Sequence, residues 1–138
     1  MKQRVRTVSY LARAEFKFKN GVYDLVALPS GAEVVKVSLE VIDNPNVHFT
    51  GDVLIGFKDE NQKDYFLTLS DVGTKGCVTS VRDYTAVSNK VIVAEVKVVK
   101  QEQKNKVIVE EVKQEHNEYL KGVLRVLYFL PSETEVEY

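Results

Sequence analysis

The sequence predicts an all-β protein, an antiparallel β-sandwich or a jelly-roll-like barrel with at most one short helix. Valine-rich segments recur along the 138 residues and are separated by Gly, Pro, Asn or Asp, which is typical of sandwiches and barrels. Apolar and polar side chains alternate over residues 33–42, as in a strand with one buried face. The triplet VIV at 91–93 and again at 107–109 disfavours a helix in the most charged region.

About ten strands are expected, separated by turn signals. Asn20-Gly21 predicts a two-residue hairpin, because a type I′ turn needs positive φ at both central residues. Corners are predicted at residues 28–31, 43–46 and 70–73, where Pro, Gly, Asn and Asp favour turns. The strands are expected at residues 4–12, 15–19, 22–27, 33–42, 52–57, 64–68, 75–81, 90–101, 106–114 and 122–130.

The region of residues 101–121 and the long strand at 33–42 allow a more detailed prediction. Residues 101–106 are predicted to turn between two strands, whereas residues 114–121 lack β-branched residues and also fit a short helix. In the long strand, one set of side chains should face the core and the other the solvent. The inward set is Val35, Val37, Leu39 and Val41, and the outward set is Lys36, Ser38 and Glu40.

Composition indicates one globular domain over residues 1–138, with 44% hydrophobic and 28% charged residues. No apolar run approaches the roughly 20 residues needed to cross a bilayer, and no secretory signal is evident, so we expect folding in a cytoplasm without a membrane partner. A net charge of −1 argues against a nucleic-acid partner. Cys77 is the only cysteine, which excludes an intrachain disulfide, and we expect it to be buried.

The sequence offers no clear catalytic, cofactor-binding or metal-binding residues. His48 and His116, the only histidines, lack a ligand spacing. The acidic stretch of residues 59–64 resembles a calcium loop only loosely, because the Gly and terminal Glu of an EF-hand are missing. Glu110 and Glu111 are adjacent and on a strand would point to opposite faces. We therefore expect a protein that is not an enzyme.

The two ends of the chain carry opposite charge. Residues 1–20 hold six basic residues and one acidic residue, whereas the tail PSETEVEY holds three glutamates and no base. We interpret residues 1 to about 10 as a basic arm and residues 131–138 as an acidic tail. Both could reach neighbouring chains and set the choice of partner, or they could be frayed and solvated. The candidate partner-binding residues are Lys2, Arg4, Arg6, Glu133, Glu135 and Glu137.

Two strands, VIVAEVKVV and GVLRVLYFL, carry apolar residues on both faces. Either they lie centrally between covering layers, or another subunit covers their outer face. With no predicted helices to provide a cover, we favour another subunit.

The stretch VYDLVALPSGAEVVKVSLEVID, followed by GDVLIGFKDENQKDYFLTLSDVGTKG, resembles small β-sandwich virion proteins of tailed bacteriophages, with cement proteins of Helicobacter phages the nearest. The resemblance covers about residues 22 to 76, and residues after 100 depart from it. It is carried by residues of the architecture and implies no catalytic site. The matching residues are Leu28, Pro29, Gly31, Ala32, Val34, Val53, Ile55, Gly56, Tyr65, Phe66, Leu67, Asp71, Val72 and Gly76.

This resemblance implies a capsid decoration or cement protein that acts as a homotrimer. Its partner would be the major capsid protein, and its place the capsid surface of the virion. It would bind the outside of the shell and stabilise it by bridging capsid subunits. The alternative is a carbohydrate-binding or receptor-binding β module of a phage tail or fibre, and a hydrolytic enzyme ranks third.

Overall fold

The computed structural model describes residues 1–42, 49–58, 61, 63–70, 76–80, 82–100 and 120–138. These residues form eleven strands and no helix. The strands are β1 (Lys2–Arg6), β2 (Ser9–Lys17), β3 (Gly21–Leu28), β4 (Glu33–Ile42), β5 (Phe49–Phe57), β6 (Leu67–Ser70), β7 (Gly76–Ser80), β8 (Tyr84–Thr85), β9 (Lys90–Lys100), β10 (Lys121–Phe129) and β11 (Glu133–Glu137).

Two antiparallel sheets form the body of the protein. The first sheet has the strand order β2-β10-β4-β7, with the short β8 also paired to β4. The second sheet has the order β3-β9-β5-β6. The chain crosses between the sheets after most strands, and this order of eight strands is that of a jelly roll. The predicted fold class is confirmed.

The core lies between the two sheets and follows the predicted alternation of β4. Val37, Leu39 and Val41 are buried, and on the opposite face Lys36 is exposed and Glu40 is half-buried and paired with Arg125. Ser38, also predicted to face the solvent, is instead buried at 8% exposed. Phe18 and Phe57 are the largest side chains that are fully buried. Burial of such aromatic side chains dominates the energetics of a core, so these residues hold the two sheets together.

The prediction that Val35 faces the core is wrong. A β-bulge shifts the register between β4 and β10, so that Val34 pairs with Tyr128 and Lys36 pairs with Leu127. Val35 is the extra residue of this bulge and is 40% exposed, while Val34 is fully buried. Strict alternation therefore ends at the bulge.

The predicted hairpin at Asn20-Gly21 is also wrong. β2 pairs with β10 and β3 pairs with β9, so the turn is a corner between sheets. The Asn20 side chain accepts a hydrogen bond from the backbone N–H of Val98 at 2.7 Å, and the Phe18 N–H donates to the Leu120 carbonyl at 2.8 Å. These two hydrogen bonds hold the corner against β9 and against the residue that precedes β10, both of which are distant in the sequence.

Several strand boundaries differ from the prediction. Residues 7–8 lie outside the strands and separate β1 from β2. The two strands predicted at 4–12 and 15–19 are therefore replaced by β1 and β2, which have other bounds. The strand expected at 64–68 is β6 (Leu67–Ser70), and neither β8 nor β11 was expected. The predicted strand 106–114, residues 114–119 of the predicted helix and the turns at 43–46, 71–73 and 101–106 lie outside the described residues, and Lys121, the last residue of that helix, instead begins β10.

The expectation that Cys77 is buried is wrong as well. Cys77 lies on β7, an edge strand of the first sheet, and its side chain is exposed. It stands opposite Glu40 of β4, whose side chain is on the outer face. The register of β7, with Val78 against the core, places the thiol on the outside.

The two strands with apolar residues on both faces are β9 and β10, and each is central in its sheet. Val93 and Val123 lie outside the core between the sheets yet are 0% and 1% exposed within the single chain. These two positions need no cover from another subunit, and the prediction that a subunit packs on the rest of these outer faces stays a prediction. Val99, at 67% exposed, remains open to solvent.

Candidate partner-binding site

The basic arm and the acidic tail pair with each other. β1 and β11 form a separate two-stranded antiparallel ribbon, which we call the terminal ribbon. Hydrogen bonding extends to its end, where the Tyr138 N–H donates to the Met1 carbonyl at 2.8 Å. Its three charged rungs are Lys2 with Glu137, Arg4 with Glu135, and Arg6 with Glu133.

All six predicted partner-binding residues therefore share one face of the terminal ribbon. Alternate residues of a strand point to the same side, and directly opposite residues of an antiparallel pair do so as well. The cations form one row along β1 and the anions form a parallel row along β11. The other face carries Val5 and Val136, which are both half-buried.

Arg6 anchors the base of the terminal ribbon to the sandwich. Its guanidinium donates to the Gly31 carbonyl at 2.7 Å and lies 3.5 Å from the carboxylate of Glu133 and 3.8 Å from that of Glu33. Its side chain is only 20% exposed. A charged donor in a partly buried setting forms stronger hydrogen bonds than a neutral one, so Arg6 has a structural role that the other ribbon cations lack.

The corner of residues 28–31, quoted in the resemblance, receives this anchor. Gly31 has φ +89°, and a Cβ at this position would lie 2.8 Å from Cβ of Pro131, the residue that leads into β11. The Gly31 N–H donates to the Ala86 carbonyl at 2.7 Å, and the Ser30 N–H donates to Asn89 Oδ1 at 2.9 Å. The corner is thus fixed from one side and supports the ribbon on the other.

Beyond its base, the terminal ribbon is open to solvent. The Arg4 side chain is 78% exposed and lies 3.8 Å from Glu133 on the neighbouring rung. No residue of β1 or β11 is buried. Exposed ion pairs add little to stability, so the rows of charge are free to exchange their partners for those of another surface.

Other predicted chemistry finds no structural counterpart in the described part of the chain. No group of three or more His, Cys, Asp or Glu side chains there could hold a metal ion, and no helix of those residues is long and apolar enough to span a membrane. Asp64 is exposed. The residues His48, Asp59, Glu60, Glu110, Glu111 and His116 lie outside the described residues.

Comparison with known proteins identifies the class of protein. No protein-family model matches the chain, and no curated protein matches it. A chain in the acidic stable capsid structure of Helicobacter pylori bacteriophage KHP30 is 56% identical, with a TM-score of 0.76 and 100% of both chains covered. The protein is therefore a structural protein of a bacteriophage capsid, found in the virion. It belongs to the same family as this KHP30 capsid chain, which confirms the resemblance.

More distant structures share the fold. A chain of the cyanophage Pam1 capsid asymmetric unit is 16% identical, with a TM-score of 0.56 over 89% of this chain and 85% of that one. A chain of the Ralstonia phage GP4 capsid is 15% identical, with a TM-score of 0.57 over 93% and 88%. At these identities the likeness shows that the jelly-roll architecture is common to the three.

Sequence reasoning selected the charged residues of the terminal ribbon and missed their arrangement. It did not foresee that the two ends pair with each other, or that Arg6 differs from Arg4 by its contact with the Gly31 carbonyl. A signal was present, since Lys2, Arg4 and Arg6 and the three tail glutamates each recur at every second residue, the period of a strand.

Proposed function

We propose that this capsid protein is a decoration or cement protein, a homotrimer that binds the outer surface of the shell and bridges neighbouring subunits of the major capsid protein. The observation that carries the proposal is the 56% identity over the whole chain to a chain of the KHP30 capsid. Within this function, the terminal ribbon is the contact with the shell or with a neighbouring copy.

The division of the molecule supports this role. The sandwich buries a continuous core between its own sheets, which suits a single domain that folds before it meets a shell. The terminal ribbon extends from this body and exposes two rows of opposite charge. Complementary charges between partners raise the rate of association and select orientation, which suits a protein added to a surface that is already assembled.

The stabilising mechanism is mass action. A protein that binds the assembled shell and not its separated subunits shifts the equilibrium toward the shell, by an amount set by the difference between the two affinities. No covalent step is needed, so the chain acts without catalysis, cofactor or metal. Binding that spans two capsid subunits has the required difference in affinity, because separated subunits offer only half of the contact.

The test uses shells assembled from the phage's major capsid protein alone. The purified protein should sediment with these shells and raise the temperature at which they dissociate, in proportion to the number of copies bound. An absence of binding, or binding that leaves the dissociation temperature unchanged, would contradict the cement role. Binding to a glycan array without binding to shells would instead support the carbohydrate-binding alternative.

A further inference from the structure

The terminal ribbon has two open edges, and its charges determine how each can be used. β1 and β11 are hydrogen-bonded to each other and to no other described strand. Each strand therefore has unpaired N–H and C=O groups along its outer edge, where another chain can add. A two-stranded ribbon alone is only marginally stable in water, so strands added at its edges would stabilise it.

Charges on edge strands usually block such pairing. Here the charges of β1 are all positive and those of β11 are all negative. Repulsion therefore opposes the pairing of like strands and does not oppose the pairing of β1 with β11. A two-fold contact of β1 with β1 of a second copy keeps the charged faces on the same side and places Arg4 opposite its own counterpart. A contact of β11 with β11 does the same for Glu135. Like charges directly opposite each other destabilise a pair of strands, so both symmetric contacts are disfavoured.

The remaining contact pairs β1 of one copy with β11 of the next. In an antiparallel register it places the cations of Lys2, Arg4 and Arg6 opposite glutamates, as within the chain. The contact uses different surfaces on the two copies, and contacts of that kind close into rings when the rotation between copies allows it. We propose that the terminal ribbons of neighbouring copies join edge to edge, β1 to β11, in a closed ring.

The ring accounts for both faces of the terminal ribbon. In a homotrimer, three ribbons would supply six strands whose charges alternate in sign around the ring. Val5 and Val136, which lie on the opposite face and are half-buried in the single chain, would then face Thr134 and Gln3 of neighbouring copies, in the register found within the chain. Only the number of copies in the ring rests on the proposed function. The pairing of β1 with β11 follows from the charges alone.

Disulfide trapping tests the pairing directly. In a Cys77→Ser background, which removes the exposed native thiol, the variants Arg4→Cys and Glu135→Cys are refolded together and oxidised, both in solution and bound to shells. The expected product is a disulfide between one chain of each kind, identified by mass spectrometry of the joined peptides. A mixture of Val5→Cys with Glu135→Cys is the matched control and should give no bond, because those side chains lie on opposite faces.

Each other outcome is decisive. Bonds between two Arg4→Cys chains, or between two Glu135→Cys chains, would overturn the inference, and so would the absence of mixed bonds in both conditions. A single chain carrying both substitutions has a partner cysteine across its own ribbon and another on the neighbouring copy, so linked copies are expected from it alongside chains closed on themselves. Shell binding without mixed bonds contradicts this inference alone, whereas failure of the native protein to bind shells contradicts the proposed function.

Discussion

The sandwich and the terminal ribbon are built from the same alternating β geometry and use it in opposite ways. In β4, alternate positions hold Val37, Leu39 and Val41, which are buried against the second sheet. In the ribbon, alternate positions hold charges, and all of them except Arg6 are exposed. The first pattern yields stability through removal of apolar surface from water, and the second yields a surface whose partners can change. The comparison predicts that substitutions in the two regions affect different measurements.

The largest expected effect is in the core. Phe18→Ala removes a fully buried ring between the sheets, and truncation of a buried Phe lowers the free energy of unfolding by about 3–5 kcal/mol. Urea denaturation followed by tyrosine fluorescence would measure it. A loss below about 1 kcal/mol would mean that Phe18 does not carry the packing that the structure assigns to it.

The next effect is expected at Gly51, where the backbones of β5 and β9 in the second sheet are in close contact. At Gly51, with φ +128°, a Cβ would lie against the Lys97 carbonyl oxygen and 2.7 Å from Val98 Cα. Gly51→Ala should lower the free energy of unfolding by about 1–3 kcal/mol. Gly76→Ala is the matched control, because φ there is +157° and nothing lies within 4 Å. Equal losses in the two variants would exclude the clash as the cause.

A smaller and local effect is expected at the base of the terminal ribbon. Gly31→Ala forces a side chain into a left-handed backbone and against Pro131, at a cost of about 1–2 kcal/mol for the backbone alone. We expect faster hydrogen exchange at the amides of β1 and β11 while those of β10 stay protected. Uniformly faster exchange in both regions would show that ribbon and sandwich unfold as one unit.

The smallest effect separates two arginines of the ribbon. Arg6→Ala removes the hydrogen bond to the Gly31 carbonyl and should speed exchange in β11, at a local cost of about 1 kcal/mol, the net contribution of one hydrogen bond. Arg4→Ala should change stability by less than about 0.5 kcal/mol, because its side chain is 78% exposed. Similar exchange rates in the two variants would refute the anchoring role of Arg6.

These differences also mark what the sequence could predict. The alternation of β4 and the Gly and Pro punctuation were enough for the fold class, because burial of one face imposes a period of two. Val35 was misplaced because a bulge depends on the partner strand. Asn20-Gly21 was misread because β10, far along the chain, competes successfully for β2.

The candidate site was predictable in its residues and not in its geometry. The opposite charges of the two ends were evident in the sequence. Their pairing depends on β2 and β10 being neighbours, which brings the first and last segments together. The anchor of Arg6 at Gly31 follows from the same long-range pairing, and no local pattern encodes it.

We propose that the terminal ribbon, rather than the sandwich surface, makes the functional contact. The most direct test compares the binding to shells of two triple variants by sedimentation. One is Lys2→Ala, Arg4→Ala and Arg6→Ala; the control is Lys17→Ala, Lys36→Ala and Lys97→Ala, which removes exposed cations of the sandwich. We predict that the ribbon variant loses binding at least about tenfold while the control binds as the native protein does. Unchanged binding by the ribbon variant would show that the functional contact lies elsewhere on the protein.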